Sequence, residues 1–347
     1  MARVLVDFHH SSLLTSLVML FQDRLEMDVY RPIGMEWFEH GYWAINNQKD
    51  TAKQFLDIDA AQPKDGTPKL NKFVSHVEHD GEYFVLDPGG VKGHRACTFD
   101  FFKENQFDYV VASIPAHVQL FQGLIAKYQP NAKLIIQMGN NWDIEKYAGM
   151  NVLASIAPQL TSANAIFYHQ EFDLKLFKPR VTHPTKVINS YVNVLHAMPS
   201  AYADFMELER LLPGYDFNSY GGQNRDGNMT GPRELANSMN EAQFILHSKP
   251  GGDGFGHIIH NAYASGRPVI ARPSQYKDQL AEQLLVPGTF LNLDELGRAK
   301  TAVCIKALTN DDDALFRMGK AAAERFKQVV DYDKEAEEIK AWLKNLN

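Results

Sequence analysis

The sequence predicts an α/β protein built from two doubly wound domains. Short β-branched strands alternate with amphipathic helices in both halves of the chain. A break marked by two prolines separates these runs near Phe177 to Pro184. The length of 347 residues also exceeds the ~100–200 typical of one domain.

Arg3-Val4-Leu5-Val6-Asp7-Phe8 is a short apolar run and reads as a buried strand. Leu13, Leu14, Leu17, Val18, Phe21 and Leu25 follow at helical spacing, with Ser12 as N-cap. Residues 30–100 carry a weaker pattern. Tyr30-Arg31-Pro32-Ile33-Gly34 reads as irregular, and Pro63 to Pro68 as a polar loop. Tyr83 to Leu86 reads as a strand stopped by Asp87-Pro88-Gly89-Gly90. The alternation then resumes with a strand over 109–112, a helix over 117–128 and strands over 133–136 and 165–168.

Beyond the break a strand starts at Lys186-Val187-Ile188. Helices follow over 200–211, 232–239 and 257–265, with strands over 215–220, 243–246 and 268–271. From about Ala314 the chain is charged and helical. These elements place a first domain over 1–180 and a second over 181–330. A helix over 331–347 is expected to pack back on the first domain.

Composition bounds the function. Hydrophobic residues at 45% and charged residues at 22% argue for a folded globular chain. A net charge of −7 supplies no general pull toward nucleic acid or anionic membrane. Cys97 and Cys304 form neither a disulfide framework nor a zinc-ligand spacing. No secretory signal and no run of eighteen apolar residues are seen. No membrane span and a reduced, cytoplasmic setting are therefore expected.

The chemistry concentrates after the strand that ends at Leu246. His247-Ser248-Lys249-Pro250-Gly251-Gly252-Asp253-Gly254-Phe255-Gly256-His257 is a glycine-rich loop running into a helix. Glycines let backbone N–H groups approach a ligand, and the helix start adds a positive dipole end. The combination suits a diphosphate. It lacks the Gly-Lys-Ser/Thr of a Walker loop and is not a dinucleotide fingerprint at the start of a domain. A second glycine turn, Gly221-Gly222-Gln223-Asn224-Arg225, ends another strand of the same domain.

Asp253-Gly254-Phe255-Gly256, Asn261-Ala262 and Ser265-Gly266-Arg267-Pro268-Val269-Ile270 resemble the donor-site signature of retaining GT-B glycosyltransferases. That family shows Glu-Gly-Phe-Gly, seven residues between two glutamates, then a Gly-x-Pro-Val-Ile stretch. The resemblance covers roughly residues 186–300. It departs from the family at Asp253 and Asn261, which stand where glutamates are usual. Val192-Asn193-Val194 also lies where the family carries an arginine.

The resemblance implies two facing Rossmann-like domains with a cleft between them. It also implies a nucleotide-sugar donor, such as a UDP- or GDP-sugar, with no further cofactor and no metal. Gly221, Gly222, Arg225, Lys249, Gly252, Gly254, Phe255, Gly256, His257 and Asn261 become the donor-binding candidates. Arg225 and Lys249 would be the diphosphate's charge partners.

His10 and His117 follow strands of the first domain and, with Asp253, are the catalytic candidates. His247, His257 and His260 read as too few ligands for zinc. Asp57-Ile58-Asp59, Asp311-Asp312-Asp313 and Asp331-Tyr332-Asp333 match an Asp-x-Asp metal pattern, yet read as solvated surface.

The acceptor is left open. Val29 to Trp37 is faintly similar to phage-encoded GT-B enzymes, some of which glycosylate hydroxymethylated pyrimidines in DNA. Trp37, Phe38, Tyr42 and Trp43 are candidate stacking residues. Arg24, Arg31, Lys64, Lys69, Lys72, Lys92 and Arg95 are candidate phosphate contacts. A lipid or polysaccharide acceptor, a sugar-nucleotide epimerase of the same architecture and a binding module without activity stand beside this reading. A dinucleotide oxidoreductase is disfavoured, because Arg3 to Ser12 contains no glycine.

Overall fold

The computed structural model describes residues 1–7, 11–32, 35–42, 75–79, 82–86, 94–139, 144–147, 149–156, 164–180, 185–229 and 231–346. It divides into two units. The first comprises Met1–Ser155, Leu160–Phe172 and Tyr332–Asn347, and the second Ile156–Gln159 and Asp173–Asp331.

The strands of the first unit are β1 (Arg3–Val6), β2 (Asp28–Pro32), β3 (Ser75–His79), β4 (Glu82–Leu86), β5 (His94–Cys97), β6 (Tyr109–Ala112), β7 (Lys133–Met138), β8 (Asn151–Ala154) and β9 (Ala165–Phe167). They form one sheet in the order β3-β4-β5-β2-β1-β6-β7-β8-β9. From β5 to β9 every pairing is parallel. The β3–β4 hairpin extends the sheet antiparallel.

Apolar residues on both faces of β1 bury it at the centre, as its unbroken Val-Leu-Val run demands. Helices α1 (Ser11–Val18), α2 (Met35–Glu39), α3 (Phe99–Glu104) and α4 (Pro115–Tyr128) connect the strands. Pro115 opens α4, where its missing N–H costs nothing.

Tyr30, Arg31 and Pro32 correct the sequence reading. Instead of an irregular stretch they belong to β2, between β1 and β5, while Ile33 and Gly34 lie outside the described residues. Pro32 sits at the last position of the strand, where it ends the pairing rather than breaking it.

The second unit carries β10 (Val187–Ser190), β11 (Asp216–Ser219), β12 (Phe244–Leu246), β13 (Val269–Ala271) and β14 (Phe290–Asn292). Their order is β11-β10-β12-β13-β14, all parallel. Helices α5 (Pro199–Leu211), α6 (Pro232–Glu241), α7 (His257–Ala264), α8 (Leu293–Thr309) and α9 (Asp312–Val329) complete it. Its core joins Ile188, Phe205, Leu208, Phe217, Phe244, Ile270 and Ile305.

The last helix, α10 (Tyr332–Leu343), belongs to the first unit. Ala336, Ile339 and Leu343 enter the core around β1 and α1. Glu335 accepts hydrogen bonds from the His169 backbone N–H (2.7 Å) and pairs with His169 Nδ1 (2.6 Å). Arg24 holds Glu171 (2.5 Å) and Asp333.

The parallel part of each sheet reverses strand order once, between β1 and β6 and between β10 and β12. Ligands of open α/β sheets bind at such switch points, beyond the carboxyl ends of the strands.

Candidate active site

In the second unit the switch point is flanked by the loops after β10 and β12. The loop after β12 is the glycine loop, and its shape follows from its residues. Gly251, Gly252, Gly254 and Gly256 have φ of +80°, +76°, +61° and +78°, a left-handed run that side chains would resist. At Gly252 a β-carbon would also lie 2.0 Å from the Gln279 amide, which reaches across the loop to the Gly251 carbonyl. Gly256 occupies the N-cap of α7, and no side chain caps that helix. The first-turn N–H groups of α7 are thus not answered by a capping side chain.

Asp253 is the charged centre of this loop. One carboxylate oxygen pairs with the Lys249 ammonium, and the other meets His247 Nε2 at 2.9 Å. Burial pushes the carboxyl up, but the His247 hydrogen bond and charge and the Lys249 charge outweigh it. The group is held well below the usual carboxylate range. His247 is buried, and its backbone carbonyl accepts the Tyr276 hydroxyl at 3.2 Å.

Phe255 is buried, with its ring stacked on His260 (4.0 Å) and edge-on to His257 (4.9 Å). Its ring therefore props the helix start. Asn261, one turn into α7, is 5% exposed, and its Oδ1 has no hydrogen-bond partner among the described residues. A buried amide left unsatisfied costs stability, so a site that satisfies it with a ligand regains that loss.

The loop after β10 is knit to the second glycine turn. The Asn193 side chain accepts the Gly222 N–H at 3.1 Å, and Val194 N–H donates to the Gly222 carbonyl at 3.1 Å. Asn224 accepts the Leu195 N–H (2.8 Å) and donates to the Val192 carbonyl (2.7 Å). A β-carbon at Gly221 would fall 2.5 Å from Asn193 Oδ1, so glycine is needed there. Val194 is held left-handed, at φ 52° and ψ 43°. That is a strained conformation for a β-branched residue, of the kind found at ligand sites.

Arg225 is not brought to the glycine loop. Its guanidinium donates to the Phe217 carbonyl and pairs with Glu209 (2.9 Å) and Asp226 (3.2 Å). Asp226 in turn accepts the Ser219 N–H at 2.7 Å. Phe217 and Ser219 carry the outward-facing groups of edge strand β11. Arg225 and Asp226 cover that edge, which explains why the expected diphosphate role does not fit.

His117 is placed differently from expectation. His10 lies outside the described residues. His117 is wholly buried, 2.9 Å from Asp7 Oδ2 and stacked on Tyr42. Asp7 also accepts the Ser113 N–H at 2.8 Å and its hydroxyl, tying β1 to the turn after β6. His117 is thus part of an internal brace rather than a surface base.

Among the described acceptor candidates, Trp37, Tyr42 and Arg31 are withdrawn into the first unit. Trp37 and Tyr42 are fully buried, with Trp37 Nε1 donating to the Cys97 carbonyl at 2.8 Å. Arg31 is buried in β2, and Arg24 and Arg95 are committed to carboxylates. Trp43, Lys64, Lys69, Lys72 and Lys92 lie outside the described residues, as does Asp57-Ile58-Asp59. The Phe38 side chain is not described. Asp311 caps α9 through the Ala314 N–H, and Asp333 pairs with Arg24. Among the described residues no group of three metal-ligating side chains occurs, and no helix is long and apolar enough to cross a membrane.

Sequence reasoning missed the residues that support the site from below, namely Asp204, Ser248, Tyr276 and Gln279. Asp204 alone carried a signal, a carboxylate on the buried stripe Ala201-Asp204-Phe205-Leu208 of α5.

No protein-family model and no curated protein matches the chain. Solved structures do match. The Anabaena protein HepE in complex with UDP aligns with a TM-score of 0.63 at 13% identity, covering 100% of both chains. An S. aureus TarM mutant in complex with fondaparinux, α-GlcNAc-glycerol and UDP aligns at 0.64 and 11% identity, covering 99% of this chain and 100% of that one. An α-glucosyltransferase in complex with UDP and a 13-mer DNA containing an HMU base aligns at 0.55 and 8% identity over 99% of each. At such identities the likeness is one of architecture, and the fold of this chain is the GT-B fold of these glycosyltransferases.

Proposed function

We propose that the chain is a glycosyltransferase that binds a nucleotide-sugar at the glycine loop of its second unit and transfers the sugar to a hydroxyl. The observation that carries this reading is a convergence beside one switch point. Four left-handed glycines, an uncapped helix start, the Lys249 ammonium and an Asn261 amide oxygen without a partner among the described residues share it. The N–H groups and helix dipole suit a diphosphate, and Lys249 adds charge. Asn261 offers hydrogen bonds to ribose hydroxyls. The solved UDP complexes of HepE and TarM support a uridine nucleotide.

In the transfer, the bond from the anomeric carbon to the diphosphate breaks through an oxocarbenium-like state. The acceptor oxygen forms the new bond and passes its proton to an oxygen of the departing diphosphate. The departing diphosphate is stabilised by the loop N–H groups, the dipole of α7 and Lys249. Asp253, held ionised, is a weak base, and its part is to accept hydrogen bonds from donor hydroxyls.

Titration with UDP and GDP in the presence of chelator tests the donor. Binding that survives chelation is expected. Loss of binding restored only by magnesium or manganese overturns the metal-free diphosphate site. Turnover of donor without acceptor separates an epimerase from a transferase.

A hydroxymethylated-pyrimidine duplex is the second reading, for the acceptor alone. The likeness to the DNA-bound α-glucosyltransferase favours it. Labelled sugar should enter such DNA and not unmodified DNA, with a steep fall as salt rises. Transfer to a lipid or polysaccharide instead would remove the DNA reading and keep the transferase.

A further inference from the structure

Beneath the glycine loop lies an ionic cluster centred on one buried carboxylate. Asp204, on α5, is fully buried. Arg272, just past β13, grips it with two hydrogen bonds of 2.8 Å, Nε to Oδ2 and Nη2 to Oδ1. Arg298, on α8, donates Nε to Oδ1 at 2.8 Å. The Ser248 hydroxyl, 2% exposed at the root of the glycine loop, donates to Oδ2 at 2.9 Å. Burial pushes the Asp204 carboxyl up, but these donors hold it below the ordinary carboxylate range.

The cluster joins two loops. Ser248 begins the glycine loop. Arg272 begins the segment 272–279, which supports the glycine loop from below. Within that segment Tyr276 donates to the His247 carbonyl at 3.2 Å, and Gln279 accepts the Asp253 N–H at 3.4 Å. Asp294 fixes the start of the same segment, accepting Arg272 Nη1 at 3.1 Å and the Ser274 N–H at 2.9 Å. Burying a carboxylate beneath two partly exposed guanidiniums carries a desolvation cost that apolar packing would avoid. What such a cluster supplies is register.

We infer that Asp204 is a positioning residue, holding the glycine loop and its supporting segment in fixed register through Ser248 and Arg272 without touching the donor. The inference rests on the reading of the glycine loop as a donor site.

Ser248→Ala in the full chain is the sparing test. It cuts the Asp204 link to the glycine loop, together with the Ser248 contact to Gln275 (3.3 Å), and leaves the Asp204–arginine pairs intact. Gln275→Ala, which removes only the direct contact, should leave UDP affinity unchanged. Backbone hydrogen exchange should quicken across both 248–256 and 272–279. UDP affinity, measured by calorimetry, should fall about tenfold, while the melting temperature stays within about 2 °C. Asp204→Asn should lower UDP affinity further; if it fails to fold, Ser248→Ala decides. A role in stability alone would lower the melting temperature and leave affinity unchanged. Unchanged affinity in Ser248→Ala, or faster exchange in only one of the two segments, overturns the inference. If the unaltered protein binds no UDP, the donor-site reading falls, whereas the coupled exchange of the two segments still decides the positioning role.

Discussion

Lys249 and Asp253, four residues apart in the glycine loop, form an ion pair in which His247 holds the second carboxylate oxygen. The ammonium proposed to meet the diphosphate is therefore already engaged. Asp253→Asn removes the competing charge. UDP should bind about threefold more tightly, the scale of one partly exposed pair. A UDP-sugar should gain nothing, because the carboxylate that accepts its hydroxyl hydrogen bonds is lost. Calorimetry with both ligands measures the crossover. Weaker UDP binding in this variant would show that Asp253 orients Lys249 rather than restraining it.

Asn261→Ala separates ligand binding from folding. The amide oxygen is buried without a partner among the described residues, so its removal should leave the melting temperature of the free protein unchanged or slightly raised. UDP affinity should fall by about 1–2 kcal/mol, the scale of one or two neutral hydrogen bonds. Unchanged affinity would refute the ribose-binding role.

Gly319→Ala should run against the usual benefit of alanine in a helix. A β-carbon there would lie 2.6 Å from the Gly266 carbonyl oxygen, where α9 passes the end of α7. The overpacking should cost about 1–3 kcal/mol. The helix-propensity gain of about 1 kcal/mol does not offset it. Urea unfolding of the full chain reads the difference, and a more stable variant would disprove the contact.

Acid stability should depend on Asp204. Its folded carboxyl sits below its ordinary value, so its stabilisation is complete above about pH 4 and is lost as pH falls below that. Asp204→Asn should be less stable than the parent at neutral pH, and the difference should shrink as pH is lowered. A gap independent of pH would mean that packing, not charge, is lost.

Much of this was legible before any coordinate. The strand at Tyr109–Ala112 and the helices around 200–211 and 257–265 appear where their periodicity placed them, because each buries a clear apolar face. β2 escaped notice because Pro32 reads as a breaker, and a proline's tolerance depends on which strand end it occupies. β14, Phe-Leu-Asn, carries no β-branched residue, so unlike β12 and β13 it leaves no strand signal. The glycine loop was visible because left-handed backbone leaves its mark in residue type. Arg225 was misread for the opposite reason. Which strand forms a sheet edge is a property of topology, and no local spacing records it. Trp37 and Tyr42 show the same limit, since an aromatic in a weakly patterned region looks alike whether it faces solvent or the core.

The return of α10 to the first unit bears on how the chain is made. Ala336, Ile339 and Leu343 fill the same core as Val4, Leu17 and Phe21, yet the whole of Asp173–Asp331 is synthesised between them. On the ribosome the earlier unit waits, its apolar floor open, while the later one has every residue it needs. The second unit should therefore reach its native state first, the reverse of the order of synthesis. A chain cut after Asp331 should keep a folded second unit and leave the first sticky and prone to protease.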